Sequence, residues 1–174
     1  MKCVVLVRHC ESSGQWPEAP LTEAGQAQAA ELAERLSALA IDHIVSSPYA
    51  RARATIEPYA NRAGLPVHVD ERLAERRLSP EPIDNWRDYV RRSFEDPDSR
   101  APGGESGRET LVRSWAAIES VMTAEHRLPA IVSHGQLLGL VLHSIDGRFG
   151  FAGWESLRNP DAYLLEGKQF RTFD

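Results

Sequence analysis

Two short segments of this chain are apolar without alternation, and each ends on a histidine. CVVLVR, residues 3–8, runs straight into His9, Cys10 and Glu11, and PAIVS, residues 129–133, runs into His134. A strand with one wet face alternates apolar and polar residues, whereas a strand covered on both faces does not. Both segments therefore read as central strands of a mainly parallel sheet with helices on either side.

The intervening chain supplies those helices. LTEAGQAQAAELAERLSALA, residues 21–40, has Leu32, Leu36 and Leu39 near one face, at helical spacing. DHIVSS, residues 42–47, reads as a second strand, and Ser47-Pro48 as a cap and first position of a helix running to about residue 62. A short strand is expected at 65–69, followed by irregular chain from 72 to 75. Residues 76–105 are rich in Pro, Arg and acids, yet Ile83, Trp86, Tyr89, Val90 and Phe94 keep helical spacing. This stretch reads as an inserted helical lid, with its arginines on a solvated face. Ser106 and Glu109 fit a capping box, behind which Leu111, Trp115, Ile118 and Met122 form a helical stripe. After residue 133 a helix over 136–144 and two closing strands, AYLLE and QFRTF, complete the pattern. The expectation is a single α/β domain over residues 1–174, three layers α/β/α, with the lid at about 76–105.

Composition narrows the function. The 174 residues, 42% hydrophobic and 26% charged, suit one globular domain with a substantial core. No apolar run is long enough to cross a bilayer and the start lacks a signal segment, so the cytoplasm is the expected location and no membrane partner is expected. The net charge of −5 argues against nucleic-acid binding. Cys3 and Cys10 lie on one extended segment, too far apart to bridge, and no Cys/His cluster has zinc spacing.

In sheets of this kind ligands sit in the crevice beyond the carboxyl ends of the strands. Arg8 and His9 fall there after the first strand, Ser46, Ser47 and Arg51 after the second, and Ser133 and His134 after the later one. Glu75 reaches the same rim. Each residue alone reads more simply: a structural histidine, a surface cation, a helix cap, a surface ion pair. Together, two histidines, two arginines and a carboxylate around one crevice suit phosphoryl transfer. That reaction needs a nucleophile, charge stabilisation on the equatorial oxygens and a proton for the leaving oxygen.

VRHCES, LTEAGQAQA, SSPYARARAT, LAER and VSHG follow one another in an order and spacing that resembles the histidine phosphatase superfamily, the phosphoglycerate mutase-like proteins. The resemblance covers nearly the whole chain and is weakest at 76–102. It implies that His9 is the nucleophile that accepts the phosphoryl group. Arg8 and Arg51 would grip the phosphate oxygens, His134 would be the second histidine beside them, and Glu75 the proton donor. Ser12 and Gln15 would touch the phosphate, Gln15 where the family usually has Asn, and the amides from Gly135 onward would help hold the anion. It also implies a small-molecule phosphate ester as substrate, with no metal and no cofactor.

Two departures stand out. Cys10 replaces the usual glycine after the nucleophile, so it is either a small filler or a thiol activated by nearby cations. The family's turn after the LAE position is replaced here by RRLSPEPIDNW, so the lid is built differently. Only WPEAP, residues 16–20, separates the opening motif from the next helix, where the mutases carry an insertion. A phosphomonoesterase is therefore expected. The alternatives are a bisphosphoglycerate-dependent mutase, a phosphoprotein phosphatase and a non-catalytic phosphate-binding module. The sequence carries no signal for oligomeric state.

Overall fold

The structure is a computed structural model and describes residues 3–173. Six strands, β1 (Cys3–Arg8), β2 (His43–Ser46), β3 (Val67–Val69), β4 (Pro129–Ser133), β5 (Asp161–Glu166) and β6 (Gln169–Thr172), form one sheet in the order β3-β2-β4-β1-β5-β6. The pairs β1–β4, β2–β4 and β2–β3 are parallel, and β5 and β6 close the other edge antiparallel. The helices are α1 (Glu23–Leu36), α2 (Ala50–Ala63), α3 (Trp86–Glu95), α4 (Gly107–Thr123), α5 (Gly135–Ile145) and α6 (Gly150–Ser156).

The unalternating apolar run of β1 is explained by its two neighbours. Val5 and Val7 pack with Leu32, Leu36 and Ile56 of α1 and α2 on one face. Val4 and Leu6 pack with Ile118, Leu137 and Val141 of α4 and α5 on the other. Burying a side chain of this size contributes about 1.5–3 kcal/mol, so neither face of β1 tolerates a polar residue. The three-layer α/β/α arrangement follows directly. Among the described residues no helix is long and apolar enough to cross a membrane.

Several boundaries differ from the sequence pattern, each for a local reason. Helix α1 stops at Leu36, short of residue 40, where the Ser37 hydroxyl donates back to the Ala33 carbonyl at 2.7 Å. Helix α2 starts at Ala50, with Tyr49 rather than Ser47 in the capping position. The Ser106–Glu109 capping box is present in both halves. The buried face of α4, however, is Thr110, Ser114, Ala117, Ile118 and Val121, while Leu111, Trp115 and Met122 are only partly covered. Burial of Thr110 and Ser114 is permitted because each hydroxyl donates to a carbonyl of the preceding turn. The segment 150–156, which carries no clear helical period, is helix α6.

The lid segment holds α3 as expected, but its arginines do not form one solvated face. Arg76 is 3% exposed; its Nε donates to the Glu105 carbonyl at 3.0 Å and its Nη1 to Ser93 Oγ at 2.8 Å. One buried guanidinium thus ties the start, middle and end of the lid together. Arg87, Arg91 and Arg92 are exposed.

Candidate active site

Strand register brings the two histidines side by side. Arg8 of β1 pairs with Ser133 of β4, so His9 and His134 each follow directly after a paired residue. The His9 amide donates to the Ser133 carbonyl at 3.0 Å, and the two rings lie 5.1 Å apart, edge to face. Both are buried.

The hydrogen bonds of His9 define its tautomer. Nδ1 lies 2.7 Å from the Cys10 carbonyl, which can only accept, so Nδ1 carries the proton. Nε2 is then the bare nitrogen, and Arg51 Nε donates to it at 3.1 Å. Burial, and then the nearby Arg51 and Arg8 cations, push His9 from 6.5 down to about 3, against the raising effect of the Cys10 carbonyl. His9 is therefore a neutral imidazole with a lone pair directed at Arg51, the state a nucleophile requires.

Arg51, fully buried on the first turn of α2, also donates from Nη1 to the Gln15 and Trp16 carbonyls at 3.2 and 3.1 Å. Arg8 donates from Nη1 to the Leu157 carbonyl at 2.7 Å. Arg8 Nε, Arg51 Nη2 and His134 Nδ1 are buried without a protein hydrogen-bond partner. Buried polar atoms are nearly always paired. Guanidinium nitrogens left over beside two neutral histidines suit a tetrahedral oxyanion. Burial, followed by His9 and Arg51, also lowers His134 well below the ordinary histidine value.

Glu75 lines the same cleft, but its carboxylate is engaged. Oε1 accepts from the Arg76 and Leu137 amides at 2.8 and 3.0 Å, and Oε2 from the Gln136 amide at 3.0 Å. The expectation that the amides opening α5 face the anion is therefore corrected for Gln136 and Leu137, which hold Glu75 instead. Gly135 also makes room for Arg8. A Cβ there would lie 3.1 Å from Arg8 Cζ, Nε and Nη2, so glycine lets the guanidinium lie against the start of the helix. Gly135→Ala is expected to displace Arg8 and lower kcat/KM for phosphate esters by about tenfold with little change in Tm. Steady-state kinetics beside a thermal melt check this.

Gln15 lines the cleft and contributes its carbonyl to Arg51. The Ser12 hydroxyl donates to the Gly14 carbonyl at 3.0 Å and shapes the loop. Ser46 and Ser133 are buried, with hydroxyls on the Ser47 and Leu73 carbonyls. Ser47, expected as a helix cap, lies 2.7 Å from His134 Nε2 and fixes that ring.

Three supporting residues escaped the sequence reading. Thr55 Oγ1 accepts from the Cys10 amide at 2.8 Å and donates to the Arg51 carbonyl at 2.7 Å, and Asn159 Nδ2 donates to the His9 carbonyl at 2.7 Å. Asp161, opposite Arg8 on β5, is buried near its guanidinium. The SSPYARARAT motif contained Thr55 but no sign of its task; Asn159 and Asp161 carried no signal.

Cys10 is packed with Leu21 and Ala29, fully buried, and burial pushes its thiol up to about 11. No non-glycine residue among those described has positive φ, so position 10 does not need glycine. Of the two readings of Cys10, its burial in an apolar cluster supports the filler. In the folded protein at pH 8 it is expected to resist a disulfide reagent and to react only on unfolding. Thiol titration with and without denaturant checks this.

The model of the histidine phosphatase superfamily, branch 1, matches residues 4–164. The chain belongs to this superfamily. The protein named "Probable phosphoglycerate mutase GpmB" of Cronobacter sakazakii is 34% identical over 169 aligned positions, covering 86% of this chain and 77% of that one. Its namesake in Shigella dysenteriae is 34% identical over 175 positions, covering 89% and 78%. Among solved structures, a mycobacterial glucosyl-3-phosphoglycerate phosphatase in complex with inorganic phosphate superposes with a TM-score of 0.79 at 26% identity, covering 99% of this chain and 95% of that one. As a histidine phosphatase-superfamily member, the chain keeps the family's mainly parallel three-layer fold around the paired histidines.

Proposed function

We propose that this protein is a phosphomonoesterase that hydrolyses a small phosphorylated metabolite through a phosphohistidine on His9, without a metal. The observation that carries the reading is the single bare nitrogen of His9, Nε2, set by the Cys10 carbonyl and flanked by buried guanidinium groups. In the first step the Nε2 lone pair attacks phosphorus in line and the bond to the leaving oxygen breaks. Glu75, in its carboxylic acid form, gives that oxygen its proton. Arg8 and Arg51 hold the equatorial oxygens, and the proton on Nδ1 stays there, donated to the Cys10 carbonyl. In the second step water attacks phosphorus, Glu75 takes back a proton, and the P–N bond breaks to release inorganic phosphate and neutral His9.

The engaged geometry of Glu75 requires one oxygen to exchange an amide for the leaving group. The cleft placement of Glu75 supports that exchange. Denaturing the enzyme in alkali during turnover of a labelled ester is expected to trap a phosphoryl adduct that acid then releases. Turnover should be unaffected by a chelator. Turnover without such an adduct overturns the mechanism.

The relatives named as probable phosphoglycerate mutases favour a second reading, transfer of the phosphoryl group to another sugar acid. The short connection opposes it: the Ala19 amide donates to the Trp16 carbonyl at 3.0 Å, so residues 16–20 form only a tight turn over the site. A mutase would interconvert monophosphoglycerates after priming faster than it releases phosphate.

A further inference from the structure

Arg8 and Glu75 line a cleft of about 700 Å³, a volume typical of sites for ligands much larger than phosphate. Four aromatic side chains line it, Trp16, Tyr49, Trp86 and Trp154, together with Leu78 and Ile83. Trp16 and Trp86 remain 54% and 43% exposed, although large apolar side chains normally find cover.

These rings are seated. A Cβ on Gly14 would fall 1.7 Å from the Trp16 indole, so that ring lies directly over the glycine. A Cβ on Gly139 would come within 2.8 Å of Trp154, whose ring meets Trp86 edge to face at 6.2 Å. The Trp16 carbonyl is held by Arg51, so this wall is tied to the phosphate-gripping cation.

The rest of the lining mixes charges, Arg76 and Arg77 with Glu81. Arg76 directs Nε and Nη1 to Glu105 and Ser93 while its Nη2 is buried without a protein partner, and Arg77 is exposed. Those arginines can receive an anionic substituent, and the aromatic faces of the same cleft receive a flat ring.

We infer, on the phosphomonoesterase reading above, that the substrate is a monophosphate ester whose leaving group carries a planar aromatic ring, received by Trp16 and Trp86. The inference separates from the catalytic reading by using ligands that cannot turn over. In equilibrium titration by tryptophan fluorescence, 2-phenylethylphosphonate is expected to bind at least about tenfold more tightly than methylphosphonate. Trp16→Ala and Trp86→Ala should each remove most of that preference, Trp16→Phe should retain it, and Trp115→Phe, remote from the cleft, should leave it unchanged. The kinetic counterpart is a higher kcat/KM for 2-phenylethyl phosphate than for glycerol 3-phosphate or 3-phosphoglycerate. Equal binding of the two phosphonates, or a preference that survives Trp16→Ala combined with Trp86→Ala, overturns the inference. Discriminating phosphonate binding with no turnover of any ester would uphold the ring site and end the phosphomonoesterase reading. Phosphate release without ring preference would do the reverse.

Discussion

Replacing His9 by Ala is expected to lower kcat for aryl phosphate hydrolysis by about 10⁴-fold or more, the scale seen when a covalent nucleophile is removed. The loss should fall on kcat rather than on anion binding, because Arg8 and Arg51 remain. Vanadate or phosphate should therefore still bind the variant, and no phosphoryl adduct should form. Steady-state kinetics with an anion-binding titration separates the two quantities. Activity surviving the substitution would exclude His9 as the phosphoryl acceptor.

The second large effect is on stability in acid. The folded protein holds His9 at about 3 and His134 well below 6.5, so both stay neutral in the fold and take up protons readily only when unfolded. Their contribution is fully present above pH 6.5, the unfolded value, and is lost as pH falls toward the folded one. For His9 the loss is about 1.4 kcal/mol for each pH unit between 6.5 and 3. His134 acts in the same direction. So does His43, which burial and the neighbouring His126 and His68 rings depress. Typical domains hold only 5–15 kcal/mol in reserve, so acid unfolding is expected near about pH 4. The loss should begin well above the range in which carboxylates titrate. Urea midpoints measured from pH 7 to 5 test this: His9→Gln should reduce the pH slope, and a flat wild-type profile would show that the histidines are not held neutral.

Legibility from sequence divided along a physical line. The strand ends could be read because a buried strand has a local signature, and His9, Arg8 and His134 each sit one step from such an end. That β1, β2 and β4 run parallel followed from the alternation of strands with helices, whereas their order in the sheet did not. What escaped was set by contacts between distant residues. Arg76 resembles any surface arginine until Ser93 and Glu105 fold around it. Ser47 has the composition of a cap, and only the approach of β4 turns its hydroxyl to His134. Helix α6 has seven residues, two of them glycine, so its helicity depends on packing against α5 rather than on propensity. The function of Gly135 depends on a guanidinium 127 positions earlier in the chain, which no local window contains.

The central position of β1 has a consequence for how the molecule loses function. Its amides and carbonyls are paired with β4 on one side and β5 on the other, so opening them requires separating the middle of the sheet. The histidine pair is therefore expected to lie in the most slowly exchanging part of the protein. Helix α3 of the lid packs mainly on α5 and α6 rather than on the sheet, so local opening there is expected at lower cost than global unfolding. On gentle warming, amide exchange in 76–105 should rise first. Discrimination among substrates would then fade while hydrolysis of small esters persists up to the global melt.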